Sequence, residues 1–398
     1  MTKDKKREPL FHISKRMAIP ACQGWLIRIS AGVIALLVCS LIAAIFTKDF
    51  GGFFKSMGSG AFGTSIRSWT LVEDLAILLC IALALTPAFK MKFWNIGGEG
   101  QTLISCLVCA VCMYYIRGNI PNALLVLICL VGGIGAGMLW AVIPALFKSK
   151  WNTNETLFTL MMNYFAMCLV AFFISYAVRS GSGVLGFLNY GHLPTLAIPG
   201  LPPTGQKYLL SILLVAILTV IIYIYLRFSK HGYEISVVGE SVNTARYIGI
   251  NVKKVIIRTM LLSGAICGFA GWLLVTGARF TVNANLVNGD GFTAILVAWL
   301  AKFNPLAMVL TAFLVTFLKK GASQVVTDYK LGQDYFGDVI TGIFIFFIIG
   351  CEFFINYRIQ FKRRSKSGPV EAEHLPDSSE EHETAAPAPQ TETVEEGE

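Results

Sequence analysis

The chain has 398 residues, of which 55% are hydrophobic and only 14% charged, with a formal net charge of +9. A soluble domain carries charge on about a quarter of its residues, so this composition excludes an ordinary water-soluble enzyme or binding module and reads as an all-α polytopic membrane protein. The charge is unevenly placed: all 33 Lys and Arg precede residue 367 and ten of the 24 acidic residues follow residue 370, leaving a body of +19 and a tail of −10.

Crossing about 30 Å of hydrocarbon takes roughly 20 apolar residues per helix. Such segments are predicted at 25–46, 70–89, 99–116, 122–147, 156–178, 207–227, 257–276 and 335–355. The apolar stretch 291–319 is interrupted by Lys302, Asn304 and Pro305, and is read as two shorter passes, 291–301 and 305–319, giving about ten transmembrane helices. The first segment lacks a small-residue cleavage pattern and is too long for a signal peptide's apolar core, so it is kept as a membrane helix.

Lys3, Lys5, Lys6, Arg7, Lys15 and Arg16 precede that segment, and Arg358, Lys362, Arg363, Arg364 and Lys366 follow the last one. The positive-inside rule then makes both ends cytoplasmic, which requires an even number of crossings. Arg227, Lys230, Arg246, Lys253, Lys254 and Arg258 fall on the same side. The expected organisation is a basic cytoplasmic N-terminus (1–24), a membrane domain (25–356) with a cytoplasmic loop at 229–254, and a basic-then-acidic tail (357–398). The end of that tail is too poor in apolar residues to order itself; it either stays solvated or masks a basic face.

Three tempting motifs fail on their chemistry. Gly58-Ser59-Gly60-Ala61-Phe62-Gly63-Thr64 imitates a phosphate loop but has Thr64 where lysine is required. Cys106, Cys109 and Cys112 imitate an iron–sulfur run, yet they belong to an apolar helix where a thiol packs as a small hydrophobe. His12, His192, His231, His374 and His382 show no metal spacing. No metal, cofactor, nucleic-acid or catalytic constellation is proposed, so ATP hydrolysis, if it drives this protein, belongs to another polypeptide.

The most informative stretch is Trp94-Asn95-Ile96-Gly97-Gly98-Glu99-Gly100-Gln101, which places a carboxylate, two amides and three glycines at the mouth of an apolar segment. Irregular backbone at membrane depth survives only where protein or a water-filled cavity surrounds it, and an ionisable group there marks a functional site by default. A second interruption, Gly289-Asp290-Gly291, opens a later segment. Paired glycine-interrupted segments point to a transporter's midplane site, with half-helix N-termini aimed inward; close helix packing is the alternative use of such glycines.

Between Ser229 and Lys254, the run Glu240 to Gly249 reads as one short helix. Ser241 caps its start, Val242, Ala245 and Ile248 share one face, Arg246 suits the last turn, and Gly249 supplies a left-handed stop. It either lies at the lipid interface or docks in a groove of a cytoplasmic partner. On the other side, Arg179 to Gln206 is a long Gly- and Pro-rich connection that either receives a partner or covers helix ends.

Phe93 to Gln101, Asn154-Glu155-Thr156-Leu157-Phe158-Thr159-Leu160-Met161-Met162-Asn163-Tyr164, Gly239 to Asn251 and Gly289 to Pro305 together resemble the permease subunits of bacterial ABC importers for branched-chain amino acids, ribose-type sugars and nucleosides. The wording is most similar to the nucleoside and simple-sugar branch, over residues 30 to 355. The resemblance implies a type II importer permease with two pseudo-symmetric halves. It also implies an ATPase-coupling role for Glu240, Ser241, Asn243, Thr244, Ala245, Arg246 and Gly249. The implied partners are an ABC ATPase, a second permease of similar sequence, an extracytoplasmic solute-binding lipoprotein and the bacterial cell membrane itself. Val72-Glu73-Asp74 departs from the family's pattern, which has an apolar, proline-containing run there.

The expected function is half of a translocation pathway for a nucleoside or related sugar-like solute. Asn95, Glu99 and Gln101 are the first candidates to shape that pathway, followed by Trp94, Asn163, Asp290 and Trp299; Glu99 either contacts solute or supports the broken helix. Amides and indoles suit a sugar or a base by hydrogen bonding and stacking. The alternative is an ion- or proton-coupled carrier in which Glu99 and Asp290 are the coupling carboxylates.

Overall fold

The structure, a computed structural model, describes residues 11–15, 21–47, 49–116, 118–178, 181–186, 190–330 and 335–361. The basic segment before residue 11, the acidic tail beyond residue 361 and Arg179 lie outside the described residues. In chain order the helices are α1 (Ala21–Thr47), α2 (Phe50–Phe62), α3 (Ser65–Lys90), α4 (Gly98–Ile116), α5 (Asn122–Trp151), α6 (Glu155–Ala177), α7 (Pro203–Phe228), α8 (Lys230–Glu240), α9 (Val242–Tyr247), α10 (Val252–Leu273), α11 (Asp290–Leu300), α12 (Pro305–Asp328) and α13 (Tyr335–Asn356). A π-helical turn, Leu274–Arg279, continues α10.

Each predicted apolar segment falls on a helix, and seven helices are long and apolar enough to cross a membrane: α3 to α7, α10 with its π turn, and α12. The protein is therefore a multi-pass, all-α membrane protein. The split at 291–319 needs correction. α12 has 24 residues and is long enough for a full pass, whereas α11 has 11 residues, about 16 Å at 1.5 Å per residue, so it is a half-helix too short to cross alone. α2 was not expected. Residues 58–62 of the glycine-rich run lie in that helix and Gly63 is its C-cap, while Asp49 caps its start by accepting from the Gly52 N–H at 2.8 Å.

Several helix starts follow directly from sequence. Asn154 accepts from the N–H groups of Thr156 and Leu157 at 3.0 and 3.3 Å, and Glu155 in the first turn pairs with Lys148 across the α5–α6 corner at 2.8 Å. Asn304 caps α12 by accepting from the Leu306 N–H, with Pro305 at the first helical position. Caps of this kind contribute about 1 kcal/mol each.

α5 and α10 cross at close range. Gly133 and Gly137 on one helix meet Gly264 and Gly268 on the other, two small-x-x-x-small faces that bring backbones together. A Cβ at Gly137 would collide with the Gly264 carbonyl and lie 2.8 Å from the Gly268 Cα. Gly137→Leu is expected to lower the melting temperature of detergent-purified protein by several degrees, since overpacking a core costs about 1–3 kcal/mol; an unchanged melt would remove this crossing from the stabilising core. A separate apolar cluster joins α1 (Ala35, Cys39, Ala43), α2 (Phe53, Met57), α12 (Leu318, Ala322, Val325) and α13 (Ile340, Phe344).

The described part of the connection between α6 and α7 covers helix ends. Its strand β2 (Leu185–Gly186) pairs antiparallel with β3 (Thr281–Val282), the Leu193 N–H donates to the Thr276 carbonyl at 3.0 Å, and His192 stacks on Phe280 with ring centroids 4.5 Å apart. A second compact unit contains the antiparallel pair of residues 11–15 with residues 357–361. Neither strand was expected from the basic N-terminal segment or the start of the tail.

Candidate translocation site

α3 ends in a Schellman turn: the Phe93 N–H donates to the Ala88 carbonyl and the Lys92 N–H to the Phe89 carbonyl, with Lys92 left-handed at φ 59°. An irregular stretch then leads to α4. Its polar side chains are consumed by its own backbone. Asn95 accepts from the Gly97 N–H at 3.0 Å and from Gln101 Nε2 at 3.2 Å, and donates to Ser263 Oγ on α10 at 3.1 Å. From α6, Thr159 accepts from the Ile96 N–H at 3.2 Å, while Asn163 accepts from the Gly100 N–H and donates to the Ile96 carbonyl, both at 2.9 Å. Asn95, Gln101 and Asn163 are 0, 1 and 2% exposed. A buried amide is costly unless bonded, and these three are bonded into one scaffold.

Glu99 reaches across to the second glycine break. Its two carboxylate oxygens accept from the Gly289 N–H at 2.9 Å and the Gly291 N–H at 2.8 Å. The first N–H groups of a helix have no intrahelical partner and carry its positive end. Gly289, at the start of α11, has no side chain to cap them, so a carboxylate from α4 does so. Gly291 permits this seat: a Cβ there would collide with the Glu99 backbone N and lie 2.7 Å from its Cα.

Asp290 points elsewhere and accepts from Lys319 Nζ of α12 at 2.7 Å. Asp74, next to Glu73 on α3, pairs with Arg279 at 2.9 Å and with Lys320. Glu73 is buried, with Oε1 lacking a hydrogen-bond partner among the described residues. Lys319, Lys320, Arg279 and Asp74 were absent from the candidate set, although charges inside or at the edge of apolar segments were a usable signal. Thr159 and Ser263, single hydroxyls on apolar helices, offered none.

The turn after α11 repeats the turn after α3. The Phe303 N–H donates to the Ala298 carbonyl and the Lys302 N–H to the Trp299 carbonyl, with Lys302 at φ 51° and Phe303 at φ 58°. Asn304 then accepts from Leu306 N–H as Asn95 does from Gly97. The start of α4 thus corresponds to the start of α12, so the two glycine–acid–glycine breaks are partners in one contact and not counterparts. The two turns pack on each other: Phe89 stacks on Phe303 at 6.1 Å, and Trp94 meets Trp299 edge-on at 5.5 Å. Among the seven pathway candidates, Trp94 and Trp299 are the most open, at 42 and 47% exposed.

The run Glu240–Gly249 holds the one short helix expected there, α9, which meets the end of α8 at a corner. Glu240 ends α8; Ser241 breaks the helix and caps α9 by accepting from the Thr244 N–H at 3.2 Å. Gly249, at φ 82°, closes a third Schellman turn onto Ala245 and Arg246. Ala245 is fully buried, whereas Asn243, Thr244 and Arg246 are exposed and Tyr247 is 92% exposed. α8 is fixed to the bundle in two ways: Gly239 abuts the Lys90 carbonyl at the end of α3, and His231 contacts Tyr225 Oη at 2.5 Å and Thr259 Oγ1 at 3.3 Å. Burial, followed by the nearby Arg258 charge, holds that imidazole below its ordinary pKa.

Broken helices, a half-helix capped from a neighbouring segment and an outward-facing short helix between passes define a membrane permease. The sequence matches the family described as "Branched-chain amino acid transport system / permease component" over residues 68–349, and the chain belongs to that family. It is 29% identical over 314 residues to the glucose ABC transporter permease protein TsgB13 of Haloferax volcanii, covering 76% of this chain and 81% of that one. It is 26% identical over 339 residues to the guanosine ABC transporter permease protein NupP of Bacillus subtilis, covering 84% and 94%. With the nucleoside ABC transporter permease protein NupB of Lactococcus lactis it shares 24% identity over 334 residues, covering 79% and 89%. The chain is the permease subunit of an ABC transporter and not itself an enzyme; ATP hydrolysis resides on a separate subunit.

Proposed function

We propose that this permease forms half of an import pathway for a nucleoside or a related sugar-like solute. The named solutes of three similar permeases, glucose, guanosine and nucleosides, support that class. Its partners in this reading are two ATPases, a second permease of similar sequence and a lipid-anchored solute receptor. Pairing of the two chain flanks, 11–15 with 357–361, supports placing both on the cytoplasmic side, as the basic residues require.

The observation that carries the reading is the shape of the α8–α9 corner. α9 turns Arg246, Tyr247 and Ile248 outward while burying Ala245, and α8 grips the end of α3. A partner pushing on α9 therefore moves the turn that carries Trp94. Arg246→Glu is expected to cut ATPase co-purification at least tenfold with no change in melting temperature. Equal recovery of ATPase by that variant would refute the docking role. The Ala245 position is unsuitable for this purpose because its side chain is buried. Uptake by the reconstituted complex should require ATP and the receptor and should survive collapse of ion gradients.

A further inference from the structure

α11 and α12 run antiparallel as a hairpin that is fastened along its length. Near the turn, Thr311 Oγ1 donates to the Val297 carbonyl at 3.2 Å; at the open end, Lys319 closes the hairpin onto Asp290 at 2.7 Å. The adjacent Lys320 reaches a different partner, Asp74 of α3, which also holds Arg279 at the end of α10. Glu99 of α4 meets the same end of α11 through two N–H groups. Five helices thus converge on one end of the hairpin through charged, directional contacts.

The other end is held differently. It bears Trp299 and Phe303, which rest on Trp94 and Phe89 by ring contacts, and among the described residues its one directional tie to α3 is the weak bond from Thr86 Oγ1 to Met308 Sδ at 3.5 Å. Ring packing tolerates several offset and edge-on arrangements, whereas charge-assisted hydrogen bonds fix distance and direction. Along α12 the turn lies about 21 Å from Lys319 at 1.5 Å per residue, so a small rotation at the charged end becomes a displacement of several ångströms at the indoles. α2 packs beside the charged end, where a Cβ at Gly60 would lie 2.8 Å from the Lys320 carbonyl.

We propose that Lys319 and Lys320 are positioning residues at the pivot of an α11–α12 hairpin. Lys319 makes the two helices one body through Asp290, Lys320 fastens that body to α3 through Asp74, and the Trp299 turn is its moving end. The inference rests on the permease reading above, because the motion it describes is the transport stroke.

The test uses the assembled permease–ATPase–receptor complex in liposomes, reading solute moved per ATP hydrolysed with a nucleoside as probe. Lys319→Met is expected to lower that ratio at least fivefold while ATPase co-purification and basal hydrolysis stay at the parent level. Lys319→Arg should restore the ratio, and Asp290→Lys combined with Lys319→Asp should recover part of it. A parent-like ratio in Lys319→Met, or failure of both rescue variants, would overturn the proposal. In a second measurement, Trp94→Cys with Trp299→Cys is joined by a short bifunctional thiol reagent, with each single variant as control. Arrest of uptake, reversed by reductant, is expected; undiminished uptake by the cross-linked complex would overturn the assignment of the moving end. Absence of ATP-dependent uptake by the parent complex would instead refute the permease reading.

Discussion

Replacing Glu99 by alanine is expected to reduce uptake by reconstituted complex to below a tenth of the parent rate and to lower the melting temperature. The substitution leaves the buried N–H groups of Gly289 and Gly291 without acceptors, at about 1–3 kcal/mol for each unpaired donor. It also removes the anion at the positive end of α11, whose contribution reaches about 2 kcal/mol in partly buried geometry. Since about 1.4 kcal/mol is a factor of ten in an equilibrium, the ratio of seated to unseated α11 falls by at least an order of magnitude. Glu99→Gln should fall between the two, because an amide keeps one acceptor and turns an N–H₂ group toward the second donor. Parent-like uptake by the glutamine variant at every pH would show that shape suffices and charge is not needed.

The second large effect is expected from Gly291→Ala, one added methyl group. Its Cβ would meet the backbone of Glu99 rather than a flexible side chain, so α11 must move away from α4 and stretch both Glu99 hydrogen bonds. Gly289→Ala is the informative comparison. Gly289 has φ 75° but nothing within 4 Å of an added Cβ, so the cost there is backbone strain, about 1–2 kcal/mol. Uptake should be nearly lost in Gly291→Ala and only moderately reduced in Gly289→Ala. If the order is reversed, backbone strain and not the α4–α11 contact sets the seat of the half-helix.

Much of this architecture was legible in the order of residues. Runs of apolar residues set the long helices because their length is fixed by hydrocarbon thickness, and Ser241 and Gly249 marked the ends of α9 through capping chemistry that acts within a few residues. What escaped was whatever depends on partners far along the chain. The eleven-residue α11 looked like a pass because hydropathy does not reveal where the preceding irregular chain runs.

The site residues divide in the same way. The anomaly at Asn95–Gln101 was visible, but its polar side chains suggested a wall exposed to solute, and the structure turns Asn95, Gln101 and Asn163 inward to hold their own backbone. The pairing of Glu99 with the Gly289–Gly291 break was suggested by chemical likeness, whereas its cause is contact. The repeat of Ala88–Phe93 with Ala298–Phe303 is carried by backbone geometry and is faint in the letters, where the first alanine and the closing Lys-Phe pair recur.

That inward turn of the amides leaves two indole edges as the open groups among the pathway candidates. A surface of this kind offers a passing solute few directional hydrogen bonds, and so little reason to stay or to be told from a similar molecule. In the proposed import reading, discrimination then belongs upstream, with the protein that delivers the cargo, and a wall that does not grip its solute is quick to let it go.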